Sequence, residues 1–145
     1  MSAMDLFSIS ASGLHAQRLR MDVIAANLAN ARSTETAEGG PYRRRDVVLE
    51  AVETRGRFRD LLRPGEPAGA AVRVARVEED AREPRQVFEP GHPHADEEGY
   101  VAYPNIAVVT ELVDMMAATR AYEANVAAIQ ASKRALQAAL EIGQS

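Results

Sequence analysis

Residues 104–143, PNIAVVTELVDMMAATRAYEANVAAIQASKRALQAALEIG, decide how the chain is read. Pro104 disfavours helical backbone at Tyr103 and holds it extended. Asn105 is then placed to cap a helix, its side chain accepting a first-turn N–H. The spacing predicts one helix from Ile106 to Ile142, with Gly143 as its stop. Met115, Tyr122, Ile129 and Leu136 recur every seven residues, with Met116 beside the first of them. Leu112, Val126 and Leu140 form an adjacent row, interrupted by Thr119 and Lys133. Both rows run along a helix surface as apolar seams. Such a helix is about 55 Å long, more than a domain of this size needs for its own interior.

The other end of the chain carries a matching signal. From Met4 to Asn30, Phe7, Leu14, Met21 and Leu28 again recur every seven residues, and Ile24 joins their face. The companion positions Ser10, Gln17 and Ala31 are polar or small, so this seam is imperfect. Gly13 costs the helix about 1 kcal/mol relative to Ala, and a residue that small lets another backbone approach. Between the helices, Arg32–Tyr42 has the Ser, Thr, Gly-Gly and Pro content of a loop. Val47–Val52, the stretch marked by Val72, Val74 and Val77, Gln86–Glu89 and Tyr100–Tyr103 read as short strands. The second of these loses its alternation near Arg76, and Arg63–Ala71 is a turn-rich break.

The expected fold is therefore mainly α with a small β-rich insertion. Residues 1–31 form the N-terminal helix, 32–104 the loop and β-rich centre, and 105–145 the C-terminal helix. The simplest partner for each seam is the other helix of the same chain, paired antiparallel as a coiled coil. A two-helix pair buried on one stripe is marginal alone, so further copies are expected to cover what remains.

Composition narrows the function. The chain has 145 residues, a net charge of −4 and no cysteine. That balance disfavours nucleic acid as the main partner, and disulfides and thiolate metal sites are excluded. Aromatics make up only 5% and Trp is absent, which suits thin helical seams better than a thick core. No stretch nears the roughly 20 apolar residues that span a bilayer, so no direct membrane insertion is expected. Asp5 stands where a secretory signal has positive charge, and the first basic side chain is Arg18. On these grounds alone the compartment reads as cytoplasmic.

Several clusters contain the residue types of a site. His92, His94, Asp96, Glu97 and Glu98 could offer metal ligands, but Pro90 and Pro93 break the segment and no matching set lies elsewhere. A polar loop without cofactor is the expectation. Ser8, Ser10 and Ser12 with His15 lie on the predicted helix and lack a nucleophile elbow, so no catalytic role is expected. Arg43, Arg44 and Arg45 form a basic triplet, expected to pair with carboxylates of a neighbouring subunit. Asn27 and Asn125 are placed to hydrogen-bond across a helix interface and fix its register. Asn30 stands as a helix C-cap or as a further interface residue.

The stretch 9–48, ISASGLHAQRLRMDVIAANLANARSTETAEGGPYRRRDVV, resembles the N-terminal signature of the flagellar axial family of rod, hook and related proteins. The motifs GGPYRRR (39–45), PGHPHADEEGYVAYPN (90–105) and TRAYEANV (119–126) are similar to those of its proximal rod members. Ala26 departs from the family, which commonly has a second Asn there; Asn27 and Asn30 match. The resemblance implies a non-enzymatic subunit of the proximal rod, a hollow helical drive shaft crossing the periplasm and transmitting torque. It implies that the terminal helices form an inner tube and the centre sits outside it. Implied partners are further copies, other proximal and distal rod proteins, and the adaptor joining rod to membrane ring. It also implies export by the flagellar type III apparatus without a cleaved signal peptide, which replaces the cytoplasmic expectation. The alternative is a small helical adaptor or chaperone that binds a partner helix in the cytoplasm.

The His92 and His94 reading is testable at once. Changing both to Ala is expected to leave assembly intact and to remove no bound metal from the purified protein. Stoichiometric zinc, lost only in the double variant, would overturn the polar-loop reading.

Overall fold

The structure, a computed structural model, describes residues 3–53 and 70–143. Residues 63–69 of the turn-rich stretch, and residues 1, 2, 144 and 145 of the two end segments, lie outside the described residues. The order is helix α1 (Ala3–Ala29), strands β1 (Arg45–Glu53), β2 (Ala70–Glu79), β3 (Arg85–Phe88) and β4 (Tyr100–Tyr103), then helix α2 (Val108–Gly143). The fold is mainly helical with a strand insertion.

Helix α1 stops because Asn30 turns back on it. The Asn30 amide Nδ2 donates to the carbonyl of Ala26 at 2.9 Å, and the Asn30 backbone N–H donates to the same oxygen at 3.1 Å. The Ser33 hydroxyl then donates to Asn30 Oδ1 at 3.1 Å. Asn30 thus caps the helix through its side chain rather than through a left-handed backbone, which no described non-glycine residue adopts. The chain reverses at Gly39 and Gly40, with φ of 87° and 74°. Two successive left-handed residues are cheap only for glycine, which explains the pair in GGPYRRR.

Strands β1 and β2 form an antiparallel hairpin pairing Val47 with Val77 and Ala51 with Val72. Its register shifts between Val48, opposite Arg76, and Leu49, opposite Val74. Ala75 is the extra residue of a bulge, and this is the physical cause of the slipped alternation in the sequence. The hairpin rests on α1. The Val72 N–H donates to Ser12 Oγ at 3.0 Å, while the Ser12 hydroxyl donates to the Ile9 carbonyl at 2.7 Å. Strands β3 and β4 pair separately, with Val87 opposite a fully buried Val101.

Helix α2 begins later than the sequence indicates. The Ile106 N–H closes a tight turn onto the Pro104 carbonyl at 2.9 Å, and the first intrahelical acceptor is Ala107, bonded to the Glu111 N–H at 3.0 Å. Asn105 therefore precedes the N-cap position and does not fill it. The two helices meet in opposite order along the chain. Gly13 is level with Asn125, Met21 Sδ accepts from Thr119 Oγ1 at 3.6 Å, and Asn27 meets Glu111.

The contact line is narrower than the heptad rows predict. Phe7, Leu14, Met21 and Leu28 are half-buried flanks, while Gly13, Ala16, Ile24 and Asn27 form the buried line of α1. On α2 the buried residues are Glu111 and Ala118. Small residues dominate because the backbones are close. Gly13 accommodates a side chain, not a backbone: a Cβ there would stand 2.8 Å from Asn125 Oδ1. The Asn125 side chain fills that space, and its Nδ2 donates to the Ala121 carbonyl on its own helix at 2.9 Å.

Gly13→Val is expected to destabilise the fold by about 1–3 kcal/mol through overpacking. Adding Asn125→Ala should recover most of that loss. Urea unfolding followed by far-UV circular dichroism reads both; a Gly13→Val chain as stable as the parent would refute the close approach.

Candidate functional site

A buried polar junction lies where α1, α2 and the start of β1 converge. Asn27 and Glu111 are 0% and 1% exposed. Burying such groups is costly unless every polar atom is met. The Asn27 Nδ2 donates to Glu111 Oε2 at 3.0 Å and to the Arg45 carbonyl at 2.8 Å. Its Oδ1 accepts from the Arg45 N–H at 2.9 Å and the Tyr42 hydroxyl at 3.2 Å. Two donors and two acceptors are thereby filled, the full capacity of a carboxamide. Asn27 does hold register across the helices, as the sequence indicates, and it also fixes the strand.

Glu111 is held from its other oxygen. Arg44 Nε donates to Oε1 at 2.6 Å, with Asp46 at 3.4 Å and Asp114 at 4.0 Å around the same guanidinium. Burial pulls the Arg44 pKa down, but the hydrogen bond and charge of Glu111, then Asp46, outweigh it and raise the value overall. Burial also raises the Tyr42 pKa; Arg45 opposes that rise, and Glu79 and Glu111 add to it. Arg45 pairs with Glu79 at 3.2 Å and lies 5.7 Å from the centre of the Tyr42 ring. Two members of the arginine triplet, Arg44 and Arg45, pair with carboxylates of their own chain, and Arg43 is exposed. Arg44 and Arg45 are spent within the chain, because the tight loop at Gly39 and Gly40 delivers them to carboxylates on α2 and β2.

The histidine loop is similarly internal. His94 Nδ1 lies 2.9 Å from Thr34 Oγ1 and its Nε2 lies 2.9 Å from Glu35 Oε2. His92 Nδ1 accepts from the His94 N–H at 3.1 Å, and its ring stands edge-on to Tyr103 at 6.3 Å. Among the described residues no group of three or more His, Cys, Asp or Glu converges as a metal site. The loop clasps the β3–β4 hairpin to the segment after α1. Ser12, one of the serines on the helix, serves as the hairpin's anchor, and His15 faces outward.

The remaining feature is apolar. Val109, Leu112, Val113 and Met116 are 75%, 50%, 60% and 57% exposed on one side of α2. Met115, Tyr122, Asn125, Val126 and Ile129 are half-buried toward α1. Leu136 and Leu140 are exposed again. The structure thus splits the sequence-predicted residues into an internal set against α1 and an outward set in solvent. Sequence reasoning missed Glu111, Ala16, Ala118, Tyr42 and the internal role of Arg44. One signal was available: Glu111 lies four residues before Met115 and seven before Ala118, so it shares their face. No helix among the described residues is long and apolar enough to cross a membrane.

Comparison with known proteins gives a consistent picture. Residues 7–35 match the family described as flagella basal body rod protein, and residues 97–142 match the C-terminal region of flagellar basal body rod FlgEFG proteins. The chain is 40% identical to the flagellar basal-body rod protein FlgC of Yersinia enterocolitica, an alignment covering 99% of this chain and 100% of that one. It is 41% identical to the FlgC of Bacillus subtilis, with 99% and 100% covered. Against the FlgC of Aquifex aeolicus it is 40% identical, with 95% and 97% covered.

Arg44→Ala leaves the Glu111 carboxylate buried without its cation and is expected to cost about 3–5 kcal/mol. Arg44→Met combined with Glu111→Leu should recover most of this, since it removes both charges. Denaturant unfolding of the three chains checks it. Equal stability of Arg44→Ala and parent would show that the junction is not structural.

Proposed function

The chain belongs to the FlgC family of flagellar basal-body rod proteins, and we propose that its two terminal helices pair as an antiparallel coiled coil forming the inner tube of the proximal rod. It is a structural rod subunit, not an enzyme. The reversed order of the three α1–α2 contacts supports the antiparallel pairing. The β-rich centre, residues 32–104, then lies outside the tube.

The observation that carries the assembly reading is the outward face of α2. Val109, Leu112, Val113 and Met116 expose apolar surface two turns long on α2. A contiguous patch of that kind marks a protein–protein surface. Contacts that do not close on themselves generate helical filaments, as a drive shaft requires. The occupants are further copies, other proximal and distal rod proteins, and the adaptor to the membrane ring. The half-buried rows of Leu14, Met21, Leu28, Tyr122, Val126 and Ile129 complete the interface at its edges, with Phe7 at the start of α1. The subunit reaches the periplasm unfolded through the flagellar type III apparatus, without a cleaved signal peptide. The match to the flagellar rod family supports this reading.

Leu112→Asp and Val113→Asp are each expected to abolish rods while changing monomer stability by less than about 0.5 kcal/mol, as exposed substitutions do. Gln130→Asp, exposed on α2 outside the patch, is the silent control. Swimming and electron microscopy of isolated basal bodies read the outcome. Normal rods in both patch variants would remove the patch from the assembly surface.

A further inference from the structure

The β3–β4 hairpin is an appendage. Among the described residues neither of its strands comes close to a helix or to β1 and β2. The His94 contacts with Thr34 and Glu35 tie its loop to the segment after α1. Its far turn is nevertheless closely built. Asp96 Oδ1 accepts from the N–H groups of Glu98 at 3.0 Å and Tyr100 at 2.8 Å. The Gly99 N–H donates to the Asp96 carbonyl at 3.0 Å. Gly99 takes φ of 85°, and a Cβ there would stand 2.9 Å from Phe88 Cε2. Asp96 is spent inside the turn. Glu97 and Glu98 stay exposed, and their carboxylates have no partner among the described residues. Next to them along the strands, Phe88 and Tyr100 are 62% and 41% exposed, edge to face with ring centres 5.3 Å apart.

The root of the same hairpin has the opposite sign. A shallow concavity there is lined by Tyr42, Arg43, Arg44, Asp80, Arg82 and Pro104. Glu111 neutralises Arg44, and Asp80 is held by Arg82. Arg43 is left over, exposed and without a carboxylate among the described residues. Arg85, opposite Tyr103 at the start of β3, is exposed and unpaired in the same sense. Against these two cations, the uncommitted carboxylate within residues 80–85 is Glu83. The root is therefore basic and the tip acidic, with about 10 Å of strand between them.

We propose that Glu97 and Glu98 of one copy pair with Arg43 and Arg85 at the hairpin root of a second copy. This rests on the rod reading above and adds a contact made outside the terminal helices. The second copy is the occupant because the two ends of one hairpin are complementary in charge, and a paired strand cannot fold its tip back onto its own root. Arginine suits both features of the tip. Its guanidinium forks onto a carboxylate, and its flat face lies against an aromatic ring. Each seated tip leaves another tip and another root free, so the contact is heterologous and open. Exposed ion pairs are weak singly. This contact therefore sets the orientation of one copy on the next and excludes wrong seatings.

Charge reversal tests the pairing. Arg43→Glu with Arg85→Glu, and separately Glu97→Arg with Glu98→Arg, are each expected to abolish swimming while leaving the urea midpoint of the purified chain unchanged. The chain carrying all four substitutions should swim again. Parent-like swimming in both reversals, or a combined chain no better than either, overturns the pairing. Where a reversal shifts the urea midpoint, cross-linking decides, and the absence of cysteine from the sequence makes it direct. Arg43→Cys and Glu98→Cys are placed together in the sole copy of the chain in the cell, and isolated basal bodies are oxidised. A ladder of covalent dimers and longer chains on a non-reducing gel is expected. Glu98→Cys paired with Glu50→Cys on β1 should give monomer. If the double variant forms no rods, the two single variants are expressed in one cell, where a covalent dimer supports the contact and its absence overturns it. Monomer alone, or adducts only with other proteins, also overturns it. Those results leave the rod reading intact, whereas normal rods in the Leu112→Asp and Val113→Asp chains would strike the rod reading itself.

Discussion

A carboxylate with 1% exposure is the constraint on which this structure turns. Glu111 must find donors for its oxygens, and two distant segments supply them. Arg44 comes from the loop before β1 and Asn27 from α1. Because Asn27 is also bonded to both backbone groups of Arg45 and to Tyr42, one polar cluster fixes three relations together. It sets the register of α1 on α2, the entry angle of the hairpin and the path of the loop at Gly39 and Gly40. A hydrophobic seam alone would not do this. Its side chains are mostly small, and small apolar surfaces slide at little cost, whereas a buried hydrogen bond out of register is left unmade.

The distribution of apolar side chains follows from that choice. Ala16, Gly13 and Ala118 bring the helices close, and the narrow contact leaves the larger aliphatic residues at the flanks or outside. A chain built only for its own stability would turn Val109, Val113 and Met116 inward. Here polar chemistry specifies the internal contact, and apolar area is left for contacts with other molecules. The internal contact and the proposed assembly surface thus use different physics within a single helix.

Much of the fold was legible in the sequence, because long periodic segments and Pro or Gly punctuation report local structure. Among the described residues, both helices, the four strands and the slip near Arg76 can be read that way, and the slip is now a bulge at Ala75. The helix-fixing role of Asn27 was legible too, since Asn in the middle of a helix needs a reason. Other features depend on tertiary placement. Glu111 resembles any first-turn acidic residue until a loop 67 residues earlier in the chain delivers Arg44. The arginine triplet resembles a surface patch for the same reason. Asn125 has the residue type of a cross-helix bond, yet its Nδ2 donates within its own helix while its side chain fills the Gly13 notch. The seam residues were identified by heptad spacing, but which of them face α1 and which face solvent depends on where Glu111 is pinned.

The sequence separation of that junction has a kinetic consequence. Asn27 and Glu111 are 84 residues apart, so α1 leaves the ribosome long before its anchor exists. At about 5–20 residues per second, the delay is roughly 4 to 17 seconds. Loop closure over that span, not helix formation, sets when the N-terminal helix becomes locked. During the interval α1 has Tyr42, Arg45 and the β1–β2 hairpin to bond with but not α2, so the face that carries Ala16 and Ile24 is open to any factor that binds it.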